Sequence, residues 1–158
     1  MRITVEERAL REVRRGHPWI FREAVRGAPR TKTGGLKTGD FVELFDAAGL
    51  HVGVGLYDAE SPIAVRVYGV GAVPALDAKG LAKLVLTAFA RRDGWFDHAQ
   101  TDAYRLCNGE GDRVPGVVVD RYASVAVARL DGDAITARWK DLAPRIGAAL
   151  SEDRKSVV

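Results

Sequence analysis

A chain of 158 residues, 47% hydrophobic and 28% charged, has the proportions of one ordinary globular domain or two small ones. No stretch approaches the roughly 18 apolar residues of a membrane span, and the charged opening from Met1 to Gly16 does not read as a secretory leader, so a cytoplasmic protein is expected. The single cysteine, Cys107, excludes an internal disulfide and any multi-cysteine zinc site. The net charge of +3 is unevenly placed: residues 1–37 carry ten Lys or Arg against four acids, which leaves −3 for the remainder. A basic end on a near-neutral body suits a polyanion-binding face, although a merely solvated charged surface has the same composition.

In chain order, Ile3 to Val5 alternates as a short strand, and Ala9 to Arg15 has room for one or two helical turns. Gly16-His17-Pro18 must break that helix, because proline lacks the backbone donor and restrains the residue before it. A basic, glycine-containing loop follows from about Arg26 to Gly39. Phe41 to Phe45, His51 to Tyr57 and Ile63 to Tyr68 then read as strands separated by the turn signals Asp46–Gly49 and Ser61-Pro62. Short strands at this spacing with one small helix predict a compact barrel. Gly69 to Pro74 is the best linker. Beyond it, Asp77 can cap a helix whose face carries Leu81, Leu84, Val85, Ala88 and Phe89, with Arg91 and Arg92 at its negative end. Strands are expected at Ala103 to Cys107, Val117 to Val119 and Ser124 to Leu130, followed by a helix from about Ala134 to Leu150 that Pro144 should kink or interrupt.

Three segments could carry chemistry. Arg14-Arg15-Gly16-His17-Pro18-Trp19-Ile20-Phe21 sets two arginines, a histidine and two aromatics around a rigid turn. Arginines neutralise phosphates and flat rings stack on unpaired bases, although Trp19 and Phe21 read first as rings plugging the base of the barrel. In Lys32 to Asp40, glycines allow close backbone approach to a phosphate and Lys32 and Lys37 add charge, but the spacing is not that of a nucleotide-hydrolase phosphate loop. Tyr104 to Gly116, running on to Asp120-Arg121-Tyr122, holds Glu110 and Asp112. The calcium-loop spacing fails, and the chemistry favours a tight hairpin whose acids pair with Arg105, Arg113 or Arg121. Cys107 reads as a buried structural thiol, His17, His51 and His98 lack metal-ligand spacing, and no catalytic, metal or cofactor site is expected in this chain.

These segments, in this order, resemble one family. Gly16-His17-Pro18-Trp19-Ile20-Phe21, Gly39-Asp40-Phe41-Val42, Gly53-Val54-Gly55-Leu56-Tyr57, Ser61-Pro62-Ile63 and Val65-Arg66-Val67 are similar to the front of the bacterial class I S-adenosylmethionine-dependent large-subunit ribosomal-RNA methyltransferases that make 5-methylcytosine. The most specific stretch is Tyr104-Arg105-Leu106 through Asn108-Gly109-Glu110-Gly111-Asp112 to Pro115-Gly116 and Val119-Asp120-Arg121-Tyr122. The resemblance implies an α+β chain: a PUA-like small β-barrel at 1–72 that binds RNA, then part of an α/β (EEHEE-type) domain at 73–158, apparently truncated. The Rossmann methyltransferase domain, with the cofactor site and catalytic cysteines, would be absent. The implied partner is ribosomal RNA, with Arg14, Arg15, His17, Trp19, Lys32, Lys37 and Arg66 as contacts.

Two positions depart from the family pattern: Cys107 replaces a small aliphatic, and Arg113 stands where a glycine follows the Asn-Gly-Glu-Gly-Asp run. An incomplete sheet at the end of the chain would expose an edge open to pairing, so a homodimer is also expected as a partner form. A free-standing RNA-binding protein and a structural or dimerisation module are the alternative readings.

Overall fold

The computed structural model describes residues 1–27, 30, 31, 34–97 and 99–153. The chain divides into two compact units, one of residues 1–77 with 132–137 and one of residues 78–131 with 138–158. The class is mixed α+β.

The first unit is built on strands β1 (Arg2–Val5), β2 (Trp19–Phe21), β3 (Val25–Arg26), β4 (Arg30–Thr31), β5 (Gly34–Gly35), β6 (Phe41–Phe45), β7 (His51–Tyr57) and β8 (Ile63–Val70). Helix α1 (Glu7–Arg14) lies between β1 and β2. Six strands form one sheet in the order β2-β8-β7-β6-β1-β3, antiparallel except for the parallel β1–β6 pair. The strands at the two ends of that order, β2 and β3, are joined by a single 3-10 turn, Arg22–Ala24, so the sheet has to curl into a nearly closed barrel. Curling hides most backbone edge groups, which is how small sheets avoid open edges. Ile3, Val5, Leu10, Val13, Ile20, Val42, Leu44 and Val65 fill the interior. In β6 the expected alternation holds, with Val42 and Leu44 inward. The short β4–β5 ribbon lies within the expected basic loop.

β7 and β8 explain the glycines of the first unit. A side chain at Gly53 would collide with the Gly69 carbonyl, and one at Gly55 would meet the Arg66 carbonyl at 2.5 Å. Glycine is required here for close strand approach, beside a bulge at Val54/Gly55.

The second unit holds α2 (Ala78–Ala90) and the antiparallel sheet β11-β10-β9, formed by β9 (Ala103–Asn108), β10 (Val117–Tyr122) and β11 (Val125–Leu130). Helix α3 runs from Asp133 to Asp153. α2 buries Leu81, Ala82, Val85 and Ala88, close to the face read from its periodicity. Pro144 lies inside α3, and of the two expected effects, a kink or an interruption, it does not produce the interruption. The cost of one missing backbone donor is confined to a single turn, and Leu142 and Ile146 on either side are buried. No helix among the described residues is long and apolar enough to cross a membrane.

Candidate functional site

The turn after α1 positions a surface cluster of cations and rings. Arg15 caps the helix, and Gly16 takes a left-handed φ of +102°. The Gly16 N–H then bonds the Val13 carbonyl (2.9 Å) and the His17 N–H bonds the Glu12 carbonyl (2.9 Å). That pair of bonds is the Schellman closure, in which glycine avoids a Cβ clash and the last carbonyls of the helix find donors. Pro18 prevents further helix, and the chain leaves as β2. His17 Nδ1 lies 3.0 Å from the Trp19 carbonyl and 3.3 Å from the Trp19 N–H, so the imidazole is tied to the turn in either tautomer.

β2 corrects the expectation that Trp19 and Phe21 plug the barrel. Side chains alternate along a strand, and Ile20, fully buried, is the inward residue. Trp19 is half-buried and Phe21 is exposed, and both approach the His17 ring, at 5.7 Å and 6.3 Å between centroids. Arg14 and Arg15 are surface side chains, 40% and 74% exposed, each bonded to an exposed acid: Arg14 to Glu7 (2.7 Å) and Arg15 to Glu12 (2.8 Å). Such pairs contribute only about 0.2–1 kcal/mol, so a phosphate can exchange for either acid at little cost.

The remaining expected contacts are scattered. Lys37 is exposed, in a turn where its N–H donates to Asp40 Oδ2 (2.8 Å). Lys32 lies outside the described residues. Arg66 does not belong to an exposed face: it is only 4% exposed, and a Cβ on Gly132 would come within 2.7 Å of its guanidinium. Its place on β8, opposite Trp19, explains the burial, because β8 is covered along most of its length. Arg22, counted in the basic front, is also spoken for, donating to the Asp58 carbonyl (2.7 Å) and the Ser61 carbonyl (2.6 Å).

Sequence reasoning missed the residue those bonds surround. Asp58 is 2% exposed; Oδ1 accepts the Glu60 and Ser61 N–H groups (3.1 Å each), and Oδ2 accepts the Ala134 N–H (3.3 Å) at the start of α3. An acid three residues ahead of Ser-Pro is a recognisable turn signal, but its second oxygen serves a helix 76 residues away.

In the second unit the Asn-Gly-Glu-Gly-Asp run closes the expected hairpin between the antiparallel strands β9 and β10, and Gly109–Asp112 within it forms a 3-10 turn. The Asp112 carboxylate accepts the Asn108 N–H (2.6 Å) and pairs with Arg92 (2.7 Å), which also donates to the Ala88 carbonyl (2.7 Å) at the end of α2. This acid therefore pairs with the arginines just beyond α2, Arg92 and more loosely Arg91 (3.7 Å), and not with Arg105, Arg113 or Arg121. Arg105 pairs instead with Asp120 (2.8 Å). The Arg113 departure has a physical meaning: its φ is +62°, a region where glycine is relaxed and a Cβ costs about 1–2 kcal/mol. Arg113→Gly is therefore expected to stabilise the chain by about 0.5–1 kcal/mol after the extra freedom of the unfolded glycine is discounted, read as a rise in Tm of a few degrees.

Cys107 is fully buried, its thiol donates to the Val117 carbonyl (3.3 Å), and desolvation pushes its pKa up to about 11. A thiol held protonated in this way is a poor nucleophile. No metal-binding cluster occurs among the described residues. A Cβ at Gly132, the junction between β11 and α3, would come within 2.7 Å of the Arg66 guanidinium, which packs against that junction.

Residues 3–69 match the family model described as a PUA-like domain. A ribosomal RNA large subunit methyltransferase of Deinococcus radiodurans is 36% identical over 143 residues, covering 88% of this chain and 33% of that protein. The ribosomal RNA large subunit methyltransferase I of Shewanella frigidimarina is 33% identical over 141 residues, covering 89% and 34%. A solved Streptococcus mutans structure, assigned as a SAM-dependent methyltransferase, superposes with a TM-score of 0.64 at 19% identity over 91% of this chain and 38% of that one. At that identity the likeness establishes the fold alone. The chain spans about a third of the length of the curated relatives it matches. It carries a PUA-like domain and, over most of its own length, is a homologue of the ribosomal RNA large subunit methyltransferases.

Proposed function

We propose that this chain docks ribosomal RNA through the outer face of its PUA-like unit. The docked RNA is the substrate for S-adenosylmethionine-dependent methylation at carbon 5 of a cytosine, performed by a cofactor-binding unit outside these 158 residues. The observation that carries the reading is the turn after α1. There a glycine-closed helix end presents Arg14, Arg15 and His17 at the surface, with Trp19 and Phe21 turned outward beside them. Cations there neutralise phosphates and rings offer stacking area, while Lys32 and Lys37 add charge in the following loop. Arg66, only 4% exposed, is left out of the proposed contacts.

The test is binding to fragments of large-subunit ribosomal RNA across a salt series, beside a variant with Arg14, Arg15, Lys32 and Lys37 replaced by Gln. The wild-type affinity should fall steeply with salt. The variant should bind at least about tenfold more weakly at low salt, with a shallower dependence, because each lost phosphate contact removes roughly one released counterion. Absence of binding at low salt would overturn the reading.

A further inference from the structure

The second unit has an open sheet face that the docking surface does not use. Strand register places Tyr122, Asp120 and Val118 of β10 on one face with Val125, Val127 and Arg129 of β11 and with Ala103, Arg105 and Asn108 of β9. Most of these side chains are exposed; Tyr122 stands 54% in solvent. Ala103, Arg105, Asn108, Asp120 and Tyr122, with Tyr104 and Arg121 beside them, line an open hollow of about 460 Å³.

Its chemistry is ordered. Arg105 donates through Nε to Asp120 Oδ1 (2.8 Å), through Nη2 to Asp120 Oδ2 (3.3 Å) and through Nη1 to Asn108 Oδ1 (2.9 Å). The fork sets the guanidinium, the carboxylate and the amide side by side on the face. Its two charges offset one another, so the array suits a neutral, hydrogen-bonding ligand better than a bare phosphate. Tyr122 lies two residues along the strand from Asp120, about 7 Å away on the same face. Its cross-strand neighbours, Ala103 and Val125, are small or aliphatic and leave the ring available for stacking.

We propose that this face is a second RNA contact, which takes an unpaired nucleobase stacked on Tyr122 with its polar edge toward Asn108, Arg105 and Asp120. The inference rests on the RNA-docking reading and adds a ligand class to it: a single-stranded or splayed-out base, as distinct from the phosphates gathered by the basic front. Unpaired bases are what a flat ring beside fixed donors and acceptors recognises, and duplex RNA conceals them.

The experiment measures the anisotropy of the whole chain with a labelled single-stranded RNA octamer and with a duplex of the same sequence. It compares wild type, Tyr122→Ala, Tyr122→Phe and the four-site Gln variant of the basic front. Tyr122→Ala should weaken octamer binding about tenfold, the scale of one base on one ring. Tyr122→Phe should stay within about twofold, since stacking needs the ring and not the hydroxyl. Neither should change duplex binding. Circular dichroism melts should show the folded state unchanged, as expected for an exposed side chain.

Equal octamer binding by wild type and Tyr122→Ala, with the four-site variant impaired, overturns this inference and leaves the docking reading standing. Failure of wild type to bind either RNA removes both. Sedimentation showing a dimer that Tyr122→Ala converts to monomer would also overturn it, assigning the face to contact between copies of this chain.

Discussion

Gly53→Ala is expected to destabilise the first unit by about 3 kcal/mol, lowering Tm by roughly 10 °C, although it adds only a methyl group. The methyl has nowhere to go: its position overlaps the Gly69 carbonyl, a backbone atom that cannot rotate aside. Relief requires β7 and β8 to separate next to the bulge at Val54/Gly55, where Val54 pairs with Gly69 and Gly53 with Val70. Each ladder hydrogen bond lost there costs about 1 kcal/mol, and the buried Val52, Val54 and Val67 lose packing with it. The same substitution at Gly147 gives the control. That glycine lies in α3, and a Cβ placed on it would meet nothing within 4 Å, so alanine should add about 0.5–1 kcal/mol through helix propensity. Opposite signs for one chemical change would locate the effect in strand contact. A Gly53→Ala melt within 2 °C of wild type, by the roughly 2–4 °C per kcal/mol expected at this size, would show that β7 and β8 do not approach so closely.

Asp112→Ala should cost about 3–5 kcal/mol, the range for removing one partner of a buried ion pair. Arg92 and Asp112 are 11% and 8% exposed, so little water is present to replace the lost carboxylate. The substitution leaves the Arg92 charge with the Ala88 carbonyl as its remaining short contact and deprives the Asn108 N–H of its acceptor. The end of α2 and the 3-10 turn before β10 are thereby uncoupled. Arg92→Leu in the same chain should recover part of the loss, because the penalty comes from stranding a charge and not from deleting an attraction. Urea unfolding monitored by circular dichroism gives the comparison: a lower midpoint with unchanged slope for Asp112→Ala, and a midpoint between the two for the double variant. A loss under about 1 kcal/mol would mean that the pair is solvated in solution.

Local patterns are legible directly in the chain. β6 and β7 span the residues read as strands, Phe41–Phe45 and His51–Tyr57, bounded by the turn signals on either side; β6 alternates with a period of two, whereas β7 is buried along nearly all its length. α1 stops at Gly16-His17-Pro18 because a positive φ followed by proline admits no further helical turn. The resemblance to large-subunit ribosomal-RNA methyltransferases is legible for the same kind of reason: its markers are glycines, prolines and turn acids, whose roles are set by local backbone geometry. Gly53, Gly55 and Asp112 show why those residue types are demanded, and Arg113 shows what an exception costs.

Pairing across distance is not legible. Sequence proximity matches Asp112 with the arginines that flank it, whereas its partner arrives from the end of α2, twenty residues earlier. Arg66 reads as one more exposed cation until β8 is seen to be covered, and Trp19 and Phe21 read as barrel plugs until Ile20 is found to occupy the interior. By itself the sequence determined the elements, the breaks between them, the basic front and the family likeness. The tertiary structure alone decided which arginines face solvent, which acids are held in pairs, and which rings point outward. Hydrophobic period and turn chemistry act over a few residues and leave their mark in the chain, whereas burial and ion pairing depend on which segments meet in space.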